Sequence, residues 1–259
     1  MTDPLASLRM ELDRWAAAGL TVRVWLRDDD AIAATEALDS FLATLARHGA
    51  PVLIAAIPGR LEPSLAPRLA GLTSVAVGVH GHIHANHAAP GKKSAEYPAG
   101  RTRGLMLEEL AQGRAIIEAT FEEQAMAIFV PPWNRAYAGI AADLDRLGYR
   151  ALSTFADAHE DEQRPGFVIA NTHADLMHWR GSRGGRGLSA VADEVAAMLV
   201  RRRNDGPSQH PVGLLTHHLV HDETACATLD ALLGFLGTHE AVRWLHPMDL
   251  IDEARPATR

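Results

Sequence analysis

Histidine is the residue type in this sequence that points most directly to chemistry. The 259 residues include 14 histidines, and nine of them fall within three short stretches, 80–87, 173–178 and 217–221. A buried imidazole needs hydrogen-bond partners for its ring nitrogens. One shared site explains the clustered histidines more simply than a separate set of partners for each ring. Neutral imidazole is also a frequent ligand of divalent metals.

The densest stretch places His80, His82, His84 and His87 within eight residues. This spacing fits either one face of a helix or a loop around a metal ion. Together with carboxylates, such imidazoles suit Zn²⁺ and related divalent cations. We therefore predict a metal site that takes its histidines from this stretch.

A charged run, Arg27, Asp28, Asp29 and Asp30, closes the first apolar segment. Adjacent carboxylates repel one another unless a cation or hydrogen-bond donors compensate them. Ligands of open and barrel-shaped α/β folds bind at the carboxyl ends of the strands. The aspartates are therefore candidates for such a rim, and a solvated turn is the other interpretation.

Three further polar clusters follow apolar segments in the same way, at 129–135, 171–179 and 215–222. The first contains Pro131 and Pro132, which stiffen the chain next to the rim. Because parallel strands end at the same edge of a sheet, we expect all five clusters on one face. This arrangement alone predicts a divalent-metal hydrolase or lyase in an α/β barrel.

The elements that must position these clusters alternate along the chain. Short runs rich in Val, Ile and Leu predict buried parallel strands at 21–27, 51–57, 75–80, 125–130, 151–155, 167–173 and 212–217. Amphipathic stretches predict helices at 4–18, 35–47, 105–122, 138–147, 188–203 and 223–238. The alternation predicts an α/β fold with a parallel sheet, open or closed into a barrel. The long loops 85–104 and 156–166 are either binding loops or mobile surface.

Composition narrows the class of protein. The chain has 25 Lys and Arg against 32 Asp and Glu, a net charge of -7, which argues against nucleic acid or an anionic membrane as the main partner. The single cysteine, Cys226, excludes an internal disulfide framework. The sequence has no apolar run of about 18 residues and no signal-peptide core at its start. We expect one cytoplasmic domain over 1–259, with its core at about 21–250.

The order of the five clusters resembles that of the polysaccharide deacetylase superfamily (carbohydrate esterase family 4, NodB-like). That family has a Thr-Phe-Asp-Asp-Gly strand end, then His-x-x-x-His, Arg-Pro-Pro-Tyr/Trp, Asp-x-x-Asp-Trp and Leu-x-His. The matching residues here are Asp29-Asp30, His80 and His84, Pro131-Pro132-Trp133, Asp175 and Trp179, and Leu215 and His217. Each motif is weak by itself, but five in order over nearly the whole chain are specific.

The resemblance implies a deformed (β/α)₇ barrel and a metal held by Asp30, His80 and His84. The metal would be Zn²⁺ or another divalent ion such as Ni²⁺, Co²⁺ or Mn²⁺. The implied reaction is hydrolytic removal of an acetyl or similar acyl group from a small-molecule or glycan substrate, an N-acylated sugar or a related amide.

The resemblance also implies catalytic and substrate-binding roles. Asp29 would be the general base for the attacking water, and His217 would protonate the leaving amine. The backbone N–H near Trp133 would help to hold the oxyanion. Trp179 would line the acyl pocket, and Arg135 is a further candidate for substrate binding.

Two positions depart from the family pattern. Val130 stands where the family has arginine before Pro-Pro, so Arg27 or Arg135 is a candidate for the missing positive charge. His178 stands where the family has its second aspartate, and Asp175 or Asp222 is a candidate to replace that carboxylate.

Two assignments stay open between neighbouring residues. The extra Asp28 allows Asp28 and Asp29 as base and ligand, although we prefer Asp29 and Asp30 because the next residue, Ala31, is small like the residue after the family's pair. His218 is an alternative to His217 as the acid.

Two other functions also stay open. One is a carbohydrate-binding relative that holds a metal without turnover, and the other is a metal-free amidase of the same superfamily. Candidates for both base and acid are present, which favours the deacetylase. The absence of a signal peptide favours a cytoplasmic N-acetylated sugar, a nucleotide- or lipid-linked precursor or a small amide. The oligomeric state is not encoded in any pattern that we can interpret.

Overall fold

A computed structural model describes residues 3–204 and 210–252. Its helices are α1 (Ala6–Ala17), α2 (Glu36–His48), α3 (Leu65–Leu69), α4 (Arg103–Phe121), α5 (Ile140–Arg146), α6 (Leu188–Asn204), α7 (Glu223–Thr238) and α8 (Asp249–Asp252). Its strands are β1 (Val22–Ala31), β2 (Val52–Ala56), β3 (Val75–His80), β4 (Ala125–Val130), β5 (Ala151–Leu152), β6 (Val168–Ile169), β7 (Ala174–Asp175), β8 (Val212–Thr216) and β9 (Val242–Trp244). Every helix and strand predicted from the sequence is present, most of them with shifted ends. Within these two ranges no helix is both long and apolar enough to cross a membrane.

The described chain divides into two compact units. The first contains the residues up to 27, 35–52 and 172–245, and the second contains 28–34, 53–171 and the residues from 246 onward. Strand β1 passes from the first unit into the second between Arg27 and Asp28.

In the first unit the strand order is β7-β8-β1, and β9 also pairs with β1. The β7–β8 and β1–β9 pairs are parallel. All five residues of β8 are buried, as expected for a parallel strand covered on both faces. Helix α1 packs on α6, and α2 packs on α7. His217 directly follows β8 and therefore lies at its carboxyl end.

In the second unit the strands follow one another in the order β2-β3-β4-β5-β6. The β3–β4, β4–β5 and β5–β6 pairs are parallel. Helix α4 packs on β3 and β4 and buries Met106, Leu110 and Ile117. His80 and Val130 are the last residues of β3 and β4 and lie opposite each other in the register. The carboxyl ends of these strands thus bring the histidine stretch next to the double proline.

Several strands differ from their predicted limits, among them β1, β5 and β6, the last of which is shortened to Val168–Ile169. Strand β1 continues through the three aspartates to Ala31, so the carboxylates lie within the strand and not after it. The strand predicted at 151–155 ends at Leu152. There the side chain of Asn171 replaces the strand ladder, because its Oδ1 accepts hydrogen bonds from both the backbone N–H and the hydroxyl of Thr154, each at 2.8 Å.

Candidate active site

One carboxylate and two imidazoles meet in the second unit. Oδ1 of Asp30 lies 3.0 Å from Nε2 of His80 and 3.3 Å from Nε2 of His84. The three ligand atoms all lie within 4.8 Å of one another, close enough to share one ion. We call Asp30, His80 and His84 the triad.

The backbone holds two members of the triad in unusual conformations. Asp30 has φ = 75° and His84 has φ = 59°, whereas His80 ends a regular strand. Left-handed conformations cost non-glycine residues about 1–3 kcal/mol and concentrate at functional sites. The backbone is therefore strained at Asp30 and at His84, the two triad residues with left-handed angles.

The hydrogen bonding of His80 suits a cation at the triad. Its Nδ1 lies 3.1 Å from the carbonyl oxygen of Val130, so Nδ1–H donates to that oxygen. In the neutral ring Nε2 then carries a lone pair, which faces the carboxylate of Asp30. A divalent cation between these atoms would turn this repulsion into two bonds, and one carboxylate with two imidazoles is a donor set that zinc accepts.

His84 is held in the neutral form that metal binding requires. Burial first, and then the neighbouring His80, lower the pKa of His84 below its usual value. The ring of Trp133 packs against it, with 4.4 Å between ring centroids. Trp133 and Asn134 both have φ = 57°, so the turn after the double proline is strained as well.

The other aspartates of β1 are more enclosed than Asp30. Asp28 is fully buried and Asp29 is 2% exposed, whereas the side chain of Asp30 is 34% exposed. The carboxylate that meets the two histidines is that of Asp30. This geometry favours the assignment of Asp30 as ligand with Asp29 beside it.

Arg135, a candidate for substrate binding, contacts the chain through its guanidinium. Its Nη1 donates to the carbonyl oxygen of Ser94 at 3.0 Å. Its guanidinium thus fixes the segment between β3 and α4, the first of the two long loops in the sequence.

In the first unit, His217 has an aromatic neighbour. The rings of Trp179 and His217 pack edge to face at 4.6 Å. Nε1–H of Trp179 donates to Oδ2 of Asp175 at 2.7 Å, and Oδ1 of Asp175 accepts from the backbone N–H of Met177. Asp175 therefore orients Trp179, and Trp179 covers one side of His217.

The two candidate replacements for the missing aspartate differ in what they contact. Asp222 caps α7 by accepting from the N–H of Ala225 at 2.8 Å, and it also accepts from Gly185 at 2.9 Å. Asp175 reaches His217 through the indole of Trp179. Of the two, Asp175 is the better placed to influence His217.

The residues that replace or adjoin the motif positions lie elsewhere in the first unit. His178 is exposed, with Nδ1 3.3 Å from the hydroxyl of Ser182. His218 is buried and stacks on Phe41, with 5.9 Å between centroids. His217 is the member of the pair that packs against Trp179.

One residue beside the triad was missed by the sequence reasoning. Glu96 is fully buried, and its carboxylate accepts hydrogen bonds from three backbone N–H groups of the His82–Ala85 segment. A single glutamate in a polar loop carries no periodic signal, so only the folded chain identifies it.

Comparison with known proteins identifies the fold. No protein-family profile and no curated protein matches the sequence. Among solved structures, a protein from Mycobacterium smegmatis assigned as a polysaccharide deacetylase matches with a TM-score of 0.64 and 14% identity, over 93% of this chain and 95% of that one. The chain has the polysaccharide deacetylase fold.

The polysaccharide deacetylase fold recurs in other structures that the chain resembles. The peptidoglycan N-acetylglucosamine deacetylase Bc1960 matches with a TM-score of 0.57 and 15% identity, over 92% of this chain and 91% of that one. A family 4 acetyl xylan esterase from Clostridium thermocellum, in complex with a cobalt ion, matches with a TM-score of 0.55 and 14% identity, over 90% and 93%. The predicted fold class, the deformed (β/α)₇ barrel of the polysaccharide deacetylases, is confirmed.

Proposed function

We propose that this protein is a metal-dependent hydrolase that removes an acetyl or similar acyl group from an N-acylated sugar or a related amide. The observation that supports this most directly is the triad, because its three ligand atoms lie within reach of one ion in a chain with the polysaccharide deacetylase fold. Three protein ligands leave coordination positions for water and substrate, as catalytic zinc sites require. Zn²⁺ is the proposed ion, with Co²⁺, Ni²⁺ or Mn²⁺ as substitutes.

The groups proposed to activate water and to hold the reacting carbonyl are Asp29 and the backbone near Trp133. A divalent cation bound by the triad would polarise the amide carbonyl and lower the pKa of a nearby water. Asp29 accepts a proton from the attacking water as the water oxygen bonds to the carbonyl carbon. The backbone N–H near Trp133 donates to the oxyanion that develops on the carbonyl oxygen.

The proposed acid is His217. His217 gives its proton to the amide nitrogen as the C–N bond breaks, and the products are a carboxylic acid and a free amine. Trp179 orients the imidazole of His217 and borders the acyl group. Asp175 fixes Trp179 through the 2.7 Å hydrogen bond.

Two reactions are to be compared for this protein, the hydrolysis of an N-acyl amide and the hydrolysis of an O-acetyl ester, because the structural neighbours include a deacetylase and an esterase. Bc1960 is a peptidoglycan N-acetylglucosamine deacetylase, and the Clostridium thermocellum protein is an acetyl xylan esterase. We propose the N-acyl amide as the substrate class, since the acid that we assign to His217 is needed most by a poor leaving group such as an amine. An O-acetyl ester has a better leaving group and depends less on that proton.

The experiment that tests the proposal measures metal and turnover in the same samples. Metal content is determined for the purified wild type and for an Asp30→Ala, His80→Ala double variant, after incubation with Zn²⁺ and desalting. Acetate release is then followed with N-acetylglucosamine oligomers and with O-acetylated xylan. We expect about one zinc per wild-type chain, none in the variant, and acetate release only by the zinc-loaded wild type. A wild type without bound metal that still releases acetate would point to the metal-free amidase.

A second candidate function is favoured by the replaced motif positions. Val130 and His178 stand where deacetylases carry a charged partner for the base and for the acid. A carbohydrate-binding protein that holds a metal without turnover is compatible with both changes. One zinc per chain together with glycan binding and no acetate release would support this second candidate.

A further inference from the structure

One buried carboxylate accepts hydrogen bonds from the backbone of the segment that carries His84. Glu96 is 0% exposed and lies between β3 and α4. Its Oε2 accepts from the backbone N–H of His82 at 3.0 Å, and its Oε1 accepts from Ile83 at 3.0 Å and from Ala85 at 3.2 Å. The three donors flank His84 on both sides.

The packing around this carboxylate excludes a side chain at Gly81. Gly81 has φ = +62°, and a Cβ at this position would collide with Oε2 of Glu96 and with the ring of Pro132. Its N–H donates to the carbonyl oxygen of Val130 at 3.0 Å. Only glycine meets both the conformational and the steric demand here. The turn after His80 is thus built around the Glu96 carboxylate.

Three convergent N–H groups explain why a carboxylate is buried here. A buried charge is costly unless hydrogen bonds compensate it, and bonds to an ionised acceptor are about twice as strong as neutral ones. Backbone N–H groups that lose such an acceptor and stay buried are left without compensation for their lost contact with water. The carboxylate therefore ties together both residues before His84 and the residue after it.

We propose that Glu96 is the positioning residue that holds His84 in the metal-binding conformation. His84 keeps a left-handed backbone, φ = 59°, and in that conformation its Nε2 lies 3.3 Å from Oδ1 of Asp30. Without the carboxylate, the segment relaxes toward ordinary backbone angles and carries the imidazole away from the triad. This inference rests on the proposed function of the triad as a metal site.

The segment around Glu96 has anchors that do not involve its carboxylate. Nη1 of Arg101 donates to the backbone carbonyl of Glu96 at 3.2 Å, and Arg101 forms a two-point ion pair with Glu109 at 2.5 and 2.6 Å. The backbone N–H of Tyr137 donates to the carbonyl of Tyr97 at 2.9 Å. A Glu109→Gln variant therefore loosens the same segment while the Glu96 carboxylate stays in place.

The test measures Co²⁺ binding by the metal-free protein, from the visible absorption of the bound ion and from titration calorimetry. We expect Glu96→Gln to bind Co²⁺ about 10–100-fold more weakly than the wild type, the usual cost of losing a partner that orients metal ligands. The absorption bands should also change in intensity, because a displaced His84 alters the coordination. Glu109→Gln should bind within twofold of the wild type with unchanged bands, even if its Tm falls.

The outcomes separate this inference from the proposed function. A wild type that binds no Co²⁺ at the triad overturns both. A wild type that binds, with a folded Glu96→Gln that binds within twofold and has the same spectrum, overturns the positioning role alone. If Glu96→Gln does not fold, Gly81→Ala takes its place, because the new methyl group displaces the carboxylate without removing it. We expect Gly81→Ala to weaken Co²⁺ binding at least tenfold, and unchanged binding in this variant contradicts the inference.

Discussion

At the scale of single residues, three adjacent aspartates in β1 receive three different environments. Asp28 is fully buried, Asp29 is 2% exposed, and Asp30 turns through φ = 75° to meet His80 and His84. The sequence predicts carboxylates beside histidines, and the family resemblance supplies the preferred register. The positive φ of Asp30 is what brings its carboxylate, and not that of Asp29, to the two histidines. No residue type among the three aspartates specifies that backbone conformation.

This difference predicts that two similar substitutions affect different properties, turnover for Asp29 and metal binding for Asp30. Asp29→Asn should lower kcat by about 10²–10⁴-fold, the usual contribution of a general base, while Co²⁺ affinity stays within a few fold of the wild type. Asp30→Asn should abolish tight Co²⁺ binding, because an amide replaces the only carboxylate of the triad. Turnover and Co²⁺ titration are measured on both variants. Loss of metal in Asp29→Asn, with retention in Asp30→Asn, would reverse the assignment of base and ligand.

The indole of Trp179 gives a second prediction at this scale. The side chain is 43% exposed, and it packs on His217 while donating to Asp175. Trp179→Ala removes an aromatic pair worth about 0.5–1.5 kcal/mol, so kcat/KM should fall by roughly 2–12-fold. Trp179→Phe keeps the ring without the donor and should retain more of the activity. Equal kcat/KM values for the wild type and Trp179→Ala would remove Trp179 from the site.

At the scale of elements, His173 joins the ends of three elements in the first unit. Its Nδ1 accepts from the backbone N–H of Gly213 in β8 at 3.0 Å, and its Nε2 lies 2.9 Å from the guanidinium of Arg202 in α6. Burial first, and then Arg202, lower the pKa of His173 to about 3. His173 directly precedes β7, and both of its ring nitrogens contact β8 or α6. It therefore has a structural role where these three elements meet and is not part of the triad.

The low pKa of His173 predicts a pH-dependent contribution to stability. The unfolded pKa, about 6.5, lies above the folded one, so the contribution is complete above pH 6.5 and is lost as the pH falls toward 3. His173→Asn keeps a hydrogen-bond acceptor but does not titrate in this range. The difference in unfolding free energy between wild type and variant should shrink by about 2 kcal/mol from pH 7 to pH 5. Urea unfolding at both pH values measures it, and a constant difference would contradict the prediction.

Some helices and strands can be predicted from the sequence, and others depend on contacts that the sequence does not reveal. Helix α2 buries one face over about two turns, from Leu38 to Leu45, and α7 over about three turns, from Ala225 to Leu236, so their spacing of apolar residues predicts them. Strand β5 ends early because Asn171, 17 residues away in sequence from Thr154, takes over its hydrogen bonding. Glu96 acts on a segment 11–14 residues away in the same manner. Contacts of single side chains with distant backbone leave no periodic trace, so the folded chain is needed to find them.

At the scale of the whole molecule, all three triad residues belong to the second unit, while His217 and Trp179 belong to the first. The order of motifs along the chain predicted the fold even though identity to the solved structures is only 14–15%. The sheet and helices of such a barrel tolerate many amino-acid substitutions as long as the spacing of apolar residues is kept. The fold can therefore be recognised from the residues at the strand ends. A metal ion bound by the triad would connect the triad to the stability of the chain.

That connection predicts how zinc changes thermal unfolding. An ion that binds the folded protein but not the unfolded chain stabilises it by about 2.7 kcal/mol at a concentration 100-fold above its Kd. For a chain of this size the Tm should rise by roughly 5–10 °C. The Asp30→Ala, His80→Ala variant should show no rise over the same range of zinc, and Mg²⁺, which prefers oxygen ligands, should have little effect on either protein. Calorimetry of both proteins with each ion measures the shifts. An equal rise in wild type and variant would show that zinc stabilises the chain at a place other than the triad.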